Sequence, residues 1–222
     1  IVSRRTALVT GGSRGIGAAI VEHLPSDGWS VLNPTRGEFD LTDFASIDSY
    51  LDSIGPVFGV VLNAGVNPPS DFAEISESQW AEILRVNTES CLHILQRLAP
   101  AMADTGGGRI VAISSAYAGR SRKGRAAYSA SKAALESLIR SVTVEFADRG
   151  VIANAVAPGF VDTELTRVNN DAAMIERLLE RVPVGRLAQP GEIAQAVAFL
   201  LSPDNHYICG QVLAVDGGWA CT

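Results

Sequence analysis

The stretch Ala7-Leu8-Val9-Thr10-Gly11-Gly12-Ser13-Arg14-Gly15-Ile16-Gly17 decides the fold. A short apolar run, suited to a strand covered on both faces, passes directly into a glycine cluster. An apolar helical pattern follows. Glycines at 11, 15 and 17 let the backbone turn sharply and come close to a bound group. The helix start behind them offers unpaired N–H donors and the positive end of a helix dipole. Strand, glycine turn and helix in this order predict a cradle for the pyrophosphate of a dinucleotide.

Outward from this stretch, apolar β-type runs alternate with helical patterns. Strands are predicted at 7–9, 30–32, 59–62, 109–113, 151–156 and 211–215, and helices near 15–24, 43–53, 76–103, 126–147, 170–181 and 191–202. Ser76-Glu77-Ser78-Gln79 has the spacing of a capping box, and Gly150 sits where a helix commonly stops. Such alternation implies βαβ units and a parallel sheet with helices on both faces. No repeat or linker divides the chain, so residues 1–222 read as a single doubly wound α/β domain of Rossmann type.

Composition limits what this domain does. Hydrophobic residues make up 47% and charged residues 19%, which suits a sizeable core. A net charge of −6 argues against a general binder of nucleic acid or of acidic membranes. No apolar run approaches the roughly 20 residues of a membrane span. Arg4 and Arg5 precede a strand rather than a signal-peptide core. Cys91, Cys209 and Cys221 lack metal-ligand spacing, as do His23, His93 and His206, so no metal is expected. An odd, scattered set of cysteines fits the cytoplasm.

Tyr128 and Lys132 are four apart within a helical pattern and therefore share one helix face. A phenol with a pKa near its ordinary value of about 10 is a sluggish acid–base group at neutral pH, and a nearby ammonium is expected to lower it. Ser115 follows the apolar run ending at Ile113, at the carboxyl end of a strand, where open α/β sheets bind ligands. Its hydroxyl can donate to a developing alkoxide. Asn87 falls mid-helix, an unfavourable place unless its amide makes a specific contact. Ser115 has no Gly-x-Ser-x-Gly surroundings, which argues against a serine hydrolase.

With Thr10-Gly-x-x-x-Gly15-x-Gly17, Asn63-Ala64-Gly65, Asn87, Ser115, Tyr128-x-x-x-Lys132, Pro158-Gly159 and Val215-Asp216-Gly217-Gly218 together, nearly the whole chain resembles the short-chain dehydrogenase/reductase family. It is closest to the 3-oxoacyl-acyl-carrier-protein reductases and related ketoreductases. The resemblance implies a catalytic set of Asn87, Ser115, Tyr128 and Lys132. In it Lys132 also holds the nicotinamide ribose and Asn87 anchors a water relay. It implies further cofactor contacts from Gly11, Ser13, Arg14, Gly15, Ile16, Gly17, Asn63, Ala64, Gly65, Pro158, Gly159, Val161 and Thr163. It also implies a homotetramer built on the helices 76–103 and 126–147.

Side chains point to NADP(H). Where an acidic residue would bind a ribose hydroxyl the chain has Thr35, followed by Arg36, and Arg14 projects from the glycine turn. A forked guanidinium suits a 2′-phosphate. The connection from 33 to 43 leaves almost no room for the helix that relatives carry after the second strand. Arg36, Asp40 and Leu41 therefore share one short, open adenine side.

On the substrate side, residues 163–187 correspond to the covering segment of relatives, and their shortness predicts an open cleft. Arg120, Arg122, Lys123 and Arg125 fill four of six positions, and no Asp or Glu occurs from Thr105 through Leu135. This predicts attraction of an anionic substrate, with Arg167 on the opposite lip, or else a subunit contact. The expected reaction is NADPH-dependent reduction of a ketone, on a β-keto acyl thioester or similar carbonyl compound. Oxidation of a secondary alcohol and a cofactor-sensing regulator are the alternatives.

Overall fold

A computed structural model describes residues 5–222. Arg4, part of the reading of the chain's start, lies outside the described residues. Six strands, β1 (Arg5–Val9), β2 (Trp29–Leu32), β3 (Gly59–Leu62), β4 (Gly108–Ile113), β5 (Val151–Pro158) and β6 (Val212–Val215), form one sheet in the order β2-β1-β3-β4-β5-β6. Every pairing is parallel. The chain runs outward from β1 to β2 and then returns past β1 to β3, so the order reverses at β1. A crevice opens there beyond the carboxyl ends of β1 and β3.

Both faces of the sheet are covered, which is why β3 and β4 are buried along their whole length. Ile20 of α1 (Gly15–His23) and Ile193 and Val197 of α9 (Pro190–Leu201) pack with Val9, Val61 and Val111 on one side. On the other, α2 (Phe44–Ser53) sends Ile47 and Leu51 into a core shared with Leu8, Val60 and Ile110. The connection 33–43 holds turns and no helix, so α2 alone carries the crossover from β2 to β3. Asp43 starts α2 by accepting the Ala45 N–H at 3.0 Å.

The long helix expected over 76–103 is interrupted. Ser76 caps α3 (Glu77–Leu84) by accepting the Gln79 N–H at 3.1 Å, but residues Arg85–Glu89 form a π-helical turn before α4 (Ser90–Asp104). Such a wide turn inserts one extra residue into a helix and is common at functional sites. Asn87 lies inside it. A short helix α5 (Ala116–Gly119), not anticipated from the sequence, precedes the 21-residue α6 (Ala126–Phe146). The covering segment folds as two helices, α7 (Glu164–Asn169) and α8 (Ala172–Leu179), rather than one over 170–181. Among the described residues no helix is long and apolar enough to cross a membrane.

Candidate active site

The glycine turn is stapled to the loop after β3. Buried Thr10 accepts the N–H groups of Asn63 and Ala64 through its hydroxyl at 3.0 and 3.1 Å. Asn63 returns two bonds from Nδ2, to the carbonyls of Thr10 and Gly11 at 3.0 and 2.9 Å. Gly17 is required for space: a Cβ there would stand 2.2 Å from the Gly11 carbonyl oxygen. Gly11 and Gly15 have φ of +66° and +55°, open to glycine at little cost. The N-terminus of α1 has no side-chain cap and no acidic residue in its first turn. Its free N–H groups are thus available to a pyrophosphate, and the cradle fits a dinucleotide.

Three adjoining cavities make one groove along the carboxyl edge of the sheet. The widest, about 380 Å³, is lined by Arg36, Asp40 and Leu41 and shares Gly11 and Ser13 with the next. The middle one, about 300 Å³, takes in Arg14, Gly15, Ile16, Gly17, Asn63, Ala64, Gly65, Lys132 and Thr163. It shares Tyr128 with the third, of about 120 Å³, where Ser115, Pro158, Gly159 and Val161 also lie. The expected cofactor and catalytic residues therefore meet along one groove, with Asn87 fully buried behind it.

Ser115 and Ser114 point to different work. Ser114 is buried and donates its hydroxyl to Glu136 at 2.6 Å, while Ser115 caps α5, accepts the Tyr117 N–H at 3.1 Å and lines the small cavity. Lys132 is 2% exposed and donates Nζ to the Ile113 carbonyl at 2.7 Å. Burial lowers its pKa to about 8. The expectation that Lys132 would lower the pKa of Tyr128 needs correction. Its ammonium lies 5.8 Å from the phenol's ring centroid, and burial pushes the phenol above its ordinary value. The Ser115 hydroxyl and the Arg125 guanidinium act the other way.

The amide of Asn87 is fully committed to protein groups. Its Oδ1 accepts the Val66 N–H at 2.8 Å, and its Nδ2 donates to the Val66 carbonyl at 2.9 Å and to the Ser131 hydroxyl at 3.0 Å. It fastens the loop after β3 to α6 beside Lys132.

The substrate side departs from expectation. The covering segment is tied down at three points: Arg14 to Glu164 at 3.0 Å, Arg122 to Asn170 at 3.1 Å and Asn169 to the Asn67 carbonyl at 3.2 Å. These ties border the third cavity, which is small, about 120 Å³, and half open to solvent. The basic residues at 120–125 do not form one patch. Arg120 donates to the carbonyls of Trp219 and Ala220 at 3.1 and 3.3 Å, and Lys123 faces Asp71 at 3.6 Å. Arg167, expected on the opposite lip, is clamped by both carboxylate oxygens of Asp162 at 2.8 and 2.9 Å. Arg125 alone of the four lines the cavity. Trp29 is part of the core, and Trp219 stands behind the cavity against Tyr117 and Phe160.

Thr10, Asn67 and Tyr117 belong to the site without being among the residues expected there from the sequence. Thr10 was legible as the strand end from which the glycine turn departs, whereas Asn67 and Tyr117 sit outside any motif. Thr35, which lines the widest cavity, is held from outside the groove by Glu38, whose carboxylate accepts its N–H and hydroxyl, both at 2.8 Å, and is thereby kept below its ordinary pKa.

A parallel sheet with a glycine cradle leading to a serine–tyrosine pair defines a dinucleotide-dependent oxidoreductase. A family profile described as enoyl-(acyl carrier protein) reductase matches residues 35–220. The acetoacetyl-CoA reductase of Synechocystis sp. is 38% identical over 229 residues, covering 96% of this chain and 95% of that protein. The 3-oxoacyl-acyl-carrier-protein reductase of Vibrio cholerae is 36% identical over 236 residues, covering 96% of each. A Beutenbergia cavernae protein assigned as an NAD(P)-dependent gluconate 5-dehydrogenase, solved with NADP at low occupancy, superposes with a TM-score of 0.93. It is 35% identical and covers all of this chain and 98% of its own. The chain belongs to the short-chain dehydrogenase/reductase family of oxidoreductases.

Proposed function

We propose that the protein reduces a ketone to a secondary alcohol with NADPH, acting on a 3-oxoacyl unit. The observation that carries this reading is the continuity of the groove: Ser115 and Tyr128 open on a small cavity that joins the glycine cradle, with Lys132 beneath. The bound dinucleotide supplies the hydride. Tyr128 donates its phenolic proton to the carbonyl oxygen, and the Ser115 hydroxyl hydrogen-bonds the same oxygen as negative charge develops. A phenol kept protonated by burial suits the reducing direction. Lys132, held by the Ile113 carbonyl, faces the middle cavity and supports the sugar next to the nicotinamide.

Arg36 is the residue for the 2′-phosphate. Its side chain is 83% exposed, and its acidic neighbour Asp40 is 3.7 Å away, a loose pairing that a phosphate can displace. The names of the relatives from Synechocystis and Vibrio support a β-keto acyl thioester as one form of the substrate. The protein works as a homotetramer in the cytoplasm, using α4 and α6, where Leu92 and Val144 are exposed apolar side chains. Nicotinamide absorbance in the presence of NADPH and a panel of 3-oxoacyl compounds tests the activity. Consumption of NADPH with one of them is expected, and none with any of them overturns the reading.

A further inference from the structure

Among the described residues two arginines are buried, and they are satisfied very differently. Arg109, 6% exposed at the start of β4, donates from Nε to the Ser202 carbonyl and from Nη2 to the Pro203 carbonyl, at 3.2 and 3.0 Å. Its Nη1 reaches the carbonyls of Gly108 and Gly150 at 3.0 and 3.4 Å. Each of its nitrogens is used. Arg125, 5% exposed, uses one nitrogen: Nη1 donates to the carbonyl and the Oδ1 of Asn67 at 2.8 and 2.9 Å. Among the described residues Nε and Nη2 have no protein acceptor and no carboxylate pairs with the guanidinium.

Those two nitrogens are not sealed off, and the cavity beside Arg125 is the small one. No fully buried side-chain nitrogen or oxygen among the described residues lacks a partner, so Nε and Nη2 keep access to space, and the space that Arg125 lines is this cavity. Its polar lining consists of hydroxyls and amides, without an Asp or Glu. A second cation stands behind, since Arg122 donates from Nη1 to the Tyr117 hydroxyl at 3.4 Å. A buried guanidinium stays charged and is costly without a counter-charge. Arg125 also stands immediately before α6, three positions ahead of Tyr128, and the two residues line the same small cavity.

Resting on the ketone-reduction reading, we propose that Arg125 binds a carboxylate of the substrate, so that this enzyme takes a short 3-oxo acid with its acid group free. The Nε and Nη2 pair presents the parallel donors that fit a carboxylate side-on. Because Arg125 and Tyr128 line one small cavity, a carboxylate held by Arg125 is next to the carbonyl being reduced. A phosphate on a long carrier arm lies too far from the reacting carbon to serve as this counter-charge. A thioester presents a neutral carbonyl at this spot and leaves the buried cation unpaired. The reaction balances as before: a hydride to the keto carbon, a proton from Tyr128 to its oxygen, and a 3-hydroxy acid with oxidised dinucleotide as products.

The experiment compares acetoacetate, its ethyl ester and its CoA thioester as substrates with NADPH. The wild type is expected to favour acetoacetate at least tenfold in kcat/KM over the ester and over the thioester. Arg125→Gln should reduce the acid-to-ester ratio by about ten- to hundredfold, the usual yield of a charge-assisted pair, and Arg125→Lys should restore part of it. NADPH binding by fluorescence reports whether the Gln variant has kept its fold. If it has not, the wild-type ratio decides. Equal or better use of the ester or thioester by the wild type overturns the proposal, as does a loss in Arg125→Gln that strikes acid and ester alike. If the wild type reduces none of the three and no other member of the 3-oxoacyl panel, the ketone reading itself fails. Calorimetry of butyrate against butyramide on the NADP⁺ complex then decides separately about Arg125. Butyrate should bind and butyramide should not, and the reverse or no binding of either removes the carboxylate assignment.

Discussion

At the wide end of the groove Arg36 is 83% exposed and stands 3.7 Å from Asp40, on a connection of turns between β2 and α2. At the narrow end Lys132 and Arg125 are 2% and 5% exposed, and each is anchored at 2.8 Å or less to a backbone carbonyl. Exposed charges in water interact weakly and cost little to displace, so the wide end can grip a phosphate only on arrival. Buried groups are already oriented, and they pay for that order with desolvation while the protein folds. On the proposed reading, recognition of the cofactor's far end is assembled by binding, and the reacting end is built in advance.

The sharpest way to break this contrast is Tyr128→Phe. Removing a positioned acid should lower kcat by about 10²–10⁴-fold while NADPH binding, followed by fluorescence, is retained. Residual activity above about one tenth would remove Tyr128 from its role.

Lys132 tests the cost of building the narrow end in advance. Its pKa is about 8 in the folded protein, against 10.5 for an unburied lysine. Between those values the unfolded chain holds the extra proton, so stability should rise with pH there. Below about 8 the buried charge subtracts on the order of 3 kcal/mol. Thermal melts of the cofactor-free protein from pH 7 to 10.5 should show that rise, and Lys132→Met should flatten it. Parallel curves for the two proteins would mean that the ammonium carries no such penalty.

At the wide end, Arg36→Ala should remove most of a preference for NADPH over NADH, about one to two decades in kcat/KM, from the loss of a charge-assisted pair of about 1.5–3 kcal/mol. Dissociation constants for the two dinucleotides check this, and equal affinities in the wild type would refute it.

The smallest effect is expected between the two ends. Arg14 and Glu164 form an ion pair with side chains 75% and 65% exposed, so Glu164→Gln should change KM by less than about fivefold. A larger change would show the covering helix to be a gate held by this one contact.

Much of this arrangement was legible in the sequence because it depends on local order. The glycine turn follows its strand without a gap, and Tyr128 and Lys132 are one helical turn apart, so neither needs a distant partner to be recognised. The missing helix at 33–43 was legible for the same reason, as a shortage of residues. What stayed hidden depends on partners far along the chain. Arg120 meets carbonyls about a hundred residues away, at Trp219 and Ala220, whereas Arg125 five positions later turns inward to Asn67. A run of basic residues carries no sign of which one is turned inward. Asp162, which clamps Arg167, lies five residues back and ahead of the start of α7, a spacing that by itself says nothing about contact. The helical period likewise continued through Asn87, because an extra residue in a helix shifts the pattern without erasing it.

That extra residue has a consequence for how the scaffold tolerates changes in length. Successive residues of an α-helix are rotated by about 100°, so the π-helical turn sets the angular offset between α3 and α4. Ile83 before it and Ile94 after it both face inward, and the offset lets them do so while Asn87 reaches Val66 and Ser131. Shortening the turn by one residue would rotate one helix against the other and swing a buried amide out of its three bonds. The segment can therefore accept replacement of its exposed side chains far more readily than a change in its residue count.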